Sequence, residues 1–123
     1  DFADRHDVVV VLKGAGTIVA QPDARVFVNA TGNPGMAAGG MGDVLTGIIA
    51  GLITQGMPID EAARGGVFLH GLAADRMAHR KAPIGYLAGE VMDTLPEAMQ
   101  EMLTGDEPDT GVDRDILYYA ADP

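Results

Sequence analysis

The chain of 123 residues has no cysteine, so it can form neither a disulfide framework nor a thiolate metal site. Lysine is scarce as well: Lys13 and Lys81 stand beside six arginines. With 18 acidic against 8 basic residues the net charge is −10. A surface of that sign repels a phosphate backbone, which excludes generic nucleic-acid binding. Long apolar runs are missing too. The longest, near residues 48–53, falls far short of the roughly 20 residues that span a bilayer. No signal peptide is evident, so no membrane partner and a cytoplasmic address are expected. An acidic, lysine-poor surface resembles those of proteins from salt-loving organisms, where screening relieves self-repulsion. An ordinary acidic protein with an acidic tail accounts for it equally well.

Apolar residues make up 47% of the chain, the composition of one globular domain with a modest core. The sequence opens on Asp1, and Asp1 to Asp7 reads as the end of a helix or loop cut from something longer. Val8 to Leu12 is a continuous apolar run, the pattern of a strand buried on both faces in a parallel sheet. Lys13 to Gly16 forms a turn, Thr17 to Ala20 is extended, Gln21 to Ala24 is a Pro-Asp turn, and Arg25 to Asn29 alternates as a half-exposed strand pairing with the one before. Val44 to Gln55 reads as a buried helix, apolar nearly all round, with Gly47, Ala50 and Gly51 permitting close packing. A second helix runs from Asp60 to about His79, with Phe68, Leu72 and Met77 inward and Arg64, Asp75 and Arg76 outward. A third covers Leu87 to Leu103, is expected to break at Pro96, and places Val91, Leu95, Met99 and Met102 in the core. Residues 1–104 form the domain; 105–123 is an acidic tail expected to be disordered, though Ile116–Tyr119 could dock on the body.

The stretch that organises the rest is 29–56. Its glycines, Gly32, Gly35, Gly39, Gly40 and Gly42, run into Asp43, which opens a helix. Glycines let the backbone adopt positive φ and let a ligand approach the main chain. A helix start presents unpaired N–H groups and the positive end of the macrodipole, which suits a phosphate. A carboxylate beside such a site repels the phosphate unless it has its own task, such as taking a proton from an attacking hydroxyl. That points to phosphoryl transfer; an Asp that only caps a buried helix is the plainer alternative.

Lys13, Gly14, Ala15, Gly16 and Thr17 lie at a strand end, where ligands gather in open α/β sheets. Lysine can reach phosphates, the glycines bare their N–H groups and Thr17 adds a hydroxyl. This is not a complete P-loop, and a hairpin turn with a surface lysine fits the residues as well. His70 reads as a packed, hydrogen-bonded core histidine, and Asp75 with His79 as a surface ion pair rather than a metal site.

The run from Asn33 to Asp43, followed by Val-Leu-Thr-Gly-Ile-Ile-Ala-Gly-Leu, resembles the signature of the NAD(P)H-hydrate dehydratases, a branch of the ribokinase-like superfamily. Residues 10–17 are similar to that family's nucleotide segment, and with His70 to Ala73 the resemblance covers about residues 8–104. It implies the C-terminal part of a ribokinase-like three-layer α/β/α sandwich, with a substantial N-terminal portion outside this sequence. It also implies that Lys13 to Thr17 hold an adenine nucleotide, that Gly39, Gly40 and Gly42 lie beside its phosphates, and that Asp43 contacts the substrate hydroxyl and acts as catalytic base. Where members often carry Thr, this chain has Ala38.

The chemistry so implied is repair of hydrated NADH or NADPH: ADP or ATP, with Mg²⁺, phosphorylates the ring hydroxyl, and phosphate then leaves. A homo-oligomer is expected for the complete protein. Two alternatives stay open: a ribokinase-like kinase for a small alcohol such as a vitamin precursor or sugar, and a non-catalytic nucleotide-binding fragment.

Overall fold

A computed structural model describes residues 2–105. A short helix α1 (Phe2–His6) precedes three strands, β1 (Val10–Leu12), β2 (Ile18–Ala20) and β3 (Val26–Val28). All three pair antiparallel in the order β1-β2-β3, with Val11 opposite Val19 and Val19 opposite Phe27. Val8–Leu12, expected as a parallel strand buried on both faces, differs in the described residues: β1 pairs there antiparallel with β2. The turn at 13–16 folds the chain straight back on itself, so β1 gains a hairpin partner. Among the described residues β1 pairs with β2 alone, and Leu12 is 64% exposed.

A 3₁₀ turn (Pro34–Met36) leads to α2 (Met41–Thr54), α3 (Ile59–Arg80) and α4 (Ala88–Thr104). On one side of α3, Ala63 and Val67 pack with Leu45 of α2 and Val19 of the sheet. On the other, Leu69, Ala73, Ala74 and Met77 pack with Met41, Tyr86, Val91 and Ala98. The helix is thus shared by two small cores, and the architecture is a partial α/β domain.

Several helix expectations change for one reason: which side is covered decides burial. The helix α2 begins at Met41, so Asp43 sits in its first turn instead of opening it, and only Met41 and Leu45 are buried. Nothing among the described residues packs on Gly47 or Gly51; the close approach is made from α3, where a Cβ on Gly66 would lie 2.6 Å from the Ile49 side chain. In α3, Phe68 and Leu72 are half-buried, and small residues hold the centre because the neighbours come close. Arg76, expected in solvent, is buried and paired with Glu101 of α4. The helix α4 runs unbroken through Pro96. Its inner face is Val91, Thr94 and Ala98, which leaves Met99 and Met102 exposed. Apart from Gly105, the acidic tail lies outside the described residues.

Candidate functional site

The turn between β1 and β2 closes on itself. The Thr17 hydroxyl donates to the Gly14 carbonyl at 3.1 Å, and its oxygen accepts from Gly14 N–H at 3.3 Å. Gly16 takes φ 69°, a conformation suited to glycine. Lys13 is exposed, and the space beside Gly14 is open. The buried Thr17 hydroxyl is therefore occupied in shaping the turn. Lys13 through Thr17 together form one wall of a cavity of about 530 Å³. Opposite them stand Asn29 to Pro34, Met36 and Ala37, with Leu45, Val67, His70 and Gly71 supplying the floor and far side.

The loop that forms the second wall is tied down residue by residue. The Thr31 hydroxyl donates to the Phe68 carbonyl of α3 at 2.9 Å. Asp75, about two turns further on the same helix, accepts from Gly32 N–H at 2.9 Å and from Asn33 Nδ2 at 2.8 Å. Asn33 in turn caps the 3₁₀ turn: its Oδ1 accepts from Gly35 N–H at 3.0 Å and from the Tyr86 hydroxyl. Tyr86 is buried, and burial raises its pKa, so the hydroxyl keeps its proton and donates; the neighbouring Asp75 charge pushes the same way against the Asn33 hydrogen bond. The Asp75–His79 pair is thereby corrected, because both Asp75 oxygens are engaged by the loop.

From this anchored turn the chain passes through Ala37 and Ala38 to Gly39–Gly42. Gly40 is the N-cap of α2 with φ 85°, and its carbonyl accepts the first helical bond, from Val44 N–H, at 3.0 Å. No atom of another element approaches where Gly39 or Gly42 would carry a Cβ. Asp43 is exposed in the first turn of α2. The structure thus gathers Lys13, Gly14, Ala15, Gly16 and Thr17 around one cavity. It sets Gly39, Gly40, Gly42 and Asp43 outside that lining, between Ala37 and Leu45, which do line it. An open glycine loop at a helix N-terminus presents main-chain N–H groups to an anion, and a carboxylate there can accept a proton from a neighbouring hydroxyl.

His70 departs from expectation in one respect. It is packed, only 2% exposed, yet its buried Nε2 has no hydrogen-bond partner among the described residues. The side chain lines the cavity. Burial, reinforced by the Lys13 ammonium, pushes its pKa down to about 4, so the ring is neutral at physiological pH. Among the described residues no three His, Cys, Asp or Glu side chains group to hold a metal ion.

Sequence reasoning missed Tyr86 and the true part played by Asp75. Neither carried a local signal: Asp75 has the look of a surface residue of α3, and Tyr86 sits in a loop with no pattern of its own.

A family model described as NAD(P)H-hydrate dehydratase matches residues 1–97. The bifunctional NAD(P)H-hydrate repair enzyme Nnr of Moorella thermoacetica is 46% identical over 101 residues, which are 82% of this chain and 19% of that protein. The ADP-dependent (S)-NAD(P)H-hydrate dehydratase of Neisseria meningitidis is 52% identical over 83 residues, 67% of this chain and 28% of that protein. Among solved structures, the ADP/ATP-dependent NAD(P)H-hydrate dehydratase of Bacillus subtilis, co-crystallized with ATP/Mg²⁺, superposes with a TM-score of 0.78 at 36% identity, covering 81% of this chain and 36% of that one. The chain therefore spans well under half the length of each of these relatives.

Proposed function

The chain belongs to the NAD(P)H-hydrate dehydratase family and carries part of its ribokinase-like α/β fold, and on that premise we propose that it supplies the nucleotide-binding and phosphoryl-transfer half of a nucleotide-dependent dehydratase. The observation that carries this reading is the placement of the Lys13–Thr17 turn and the Asn29–Ala37 loop around one cavity, directly before the open glycine loop and Asp43.

In this reading Lys13 to Thr17 hold an adenine nucleotide in the cavity, against a lining that includes the neutral His70. The N–H groups at Gly39, Gly40 and Gly42 take up charge on the transferring phosphoryl group. Asp43 accepts the proton of the ring hydroxyl as its oxygen attacks the terminal phosphorus; the nucleotide leaves one phosphate shorter. Hydroxide is a poor leaving group, and phosphate a good one. The ring nitrogen's lone pair then assists breakage of the carbon–oxygen bond, phosphate departs, and loss of a proton from the neighbouring carbon restores the double bond. Magnesium, when present, would neutralise phosphate charge as part of the nucleotide complex. The donor, ADP or ATP, is carried over from the names of the Neisseria and Bacillus proteins. A cytoplasmic setting and self-assembly of the complete protein go with the same reading.

The direct experiment incubates the full-length gene product with hydrated NADH and either ADP or ATP. Return of the reduced-nicotinamide absorbance with stoichiometric release of phosphate is expected. Nucleotide binding without any such return would leave a nucleotide-binding module and overturn the dehydratase.

A further inference from the structure

The glycine loop has an unusual mechanical problem. A Cβ on Gly39 or Gly42 would meet nothing within 4 Å, and the loop's contacts with its surroundings are few: Ala38 packs against the core, and a Cβ on Gly40, at φ 85°, would lie 3.3 Å from the Ala88 Cβ. Its position depends strongly on what fixes its two ends. Downstream, Met41 and Leu45 are buried and fix α2. Upstream, the turn before it is fixed by hydrogen bonds from two other helical elements. Asp75 of α3 receives Gly32 N–H and Asn33 Nδ2, while Tyr86, just before α4, donates to Asn33 Oδ1, which also caps Gly35. Tyr86 lies so tightly over Gly35 that a Cβ there would stand 2.5 Å from its ring and 2.6 Å from the Pro83 carbonyl. Both Asp75 oxygens and both ends of the Asn33 amide are thus engaged at once.

We infer that Asp75, Asn33 and Tyr86 are positioning residues: a clamp that aims the Gly39–Gly42 loop and the first turn of α2. Asp75 and Tyr86 lie outside the cavity lining and act through Asn33 and the loop, while Asn33 itself also lines the cavity. The inference deepens the phosphoryl-transfer reading and rests on it. A loop that must present N–H groups to a transferring phosphoryl group gains rate from fixed geometry, and misplacement by about 1 Å costs on the order of 10²-fold.

The donor and acceptor pattern gives a decisive test. Asp75→Asn aims an amide at two donors or loses one of them, and Asn33→Asp sets two carboxylates face to face. The double variant Asp75→Asn/Asn33→Asp restores every bond: Gly32 N–H to the new amide oxygen, the new amide N–H to the new carboxylate, and Gly35 N–H with Tyr86 O–H to that carboxylate's other oxygen. Each single variant should speed hydrogen–deuterium exchange across residues 32–42 while α3 stays protected. Each should also lower kcat by roughly 10- to 100-fold; Asp75→Asn should leave nucleotide KM nearly unchanged, whereas Asn33→Asp, a new charge in the cavity lining, should raise it. The double variant should bring both back to within a few-fold of wild type. Unchanged exchange in the single variants, or a double variant as loose as either, overturns the clamp. Faster exchange with an unchanged kcat also overturns the inference, since the bonds would then serve stability alone. A wild-type protein without turnover marks failure of the site reading instead, and the exchange pattern by itself then decides whether the clamp holds the loop.

Discussion

Gly71 presses on Thr31: a Cβ at 71 would stand 2.1 Å from Thr31 Oγ1 and 2.7 Å from its carbonyl carbon. The same hydroxyl donates to the Phe68 carbonyl at 2.9 Å, so helix and loop are locked at a distance only glycine permits. Both residues line the cavity. Gly71→Ala should therefore destabilise the fold by about 2–3 kcal/mol, the upper range for overpacking, although alanine is the better helix former. Chemical denaturation measures it. A midpoint equal to wild type means that segment 29–31 moves away without cost and does not fix the cavity.

His70 gives a pH dependence of defined sign. Its folded pKa is about 4 against an ordinary 6.5, so the unfolded chain binds the extra proton between those values. Its contribution to stability is complete above about pH 6.5 and is lost as the pH falls towards 4, by at most about 3 kcal/mol. His70→Gln keeps a polar side chain without a titration in that window. The variant's stability should fall less steeply than wild type between pH 6.5 and pH 4.5. Parallel curves would mean that the imidazole accepts its proton in the folded state at no penalty.

The charge of −10 sets up a response to salt. Screening relieves repulsion among exposed carboxylates, so the melting temperature should climb as KCl is raised into the molar range. A curve flat across that range identifies an ordinary acidic protein whose charges are already well dispersed.

The sequence showed the turns and helices well, because Gly, Pro and apolar spacing speak for local structure. Lys13 to Thr17 and the glycine loop were visible for that reason. What escaped it was contact between elements distant in sequence. Nothing near Asp75 says that its partners are Gly32 and Asn33, or that Arg76 will be buried against Glu101. The antiparallel pairing of β1 was open rather than hidden, since the apolar run fits a parallel interior strand while the 13–17 turn also fits a hairpin. Met99 and Met102 have the spacing of core residues yet are exposed, because the period alone does not say which face of α4 meets α3.

Asp43 separates catalysis from capping. It stands in the first turn of α2 behind a glycine N-cap that makes no side-chain hydrogen bond, so its structural share is the interaction of its charge with the helix dipole. For an exposed side chain that is about 0.5 kcal/mol. Asp43→Asn nearly conserves volume and removes the charge and the proton acceptor together. Stability should change by less than about 1 kcal/mol, whereas turnover of hydrated NADH by the full-length protein should fall by about 10² or more. Nucleotide affinity, read by calorimetry, should hold or rise, because a negative charge beside the phosphates has gone. A structural Asp43 gives the opposite pattern, with a lower melting temperature and near-normal turnover per folded molecule. If the Asn variant works within a few-fold of wild type, the proton passes elsewhere and the role proposed for Asp43 is wrong.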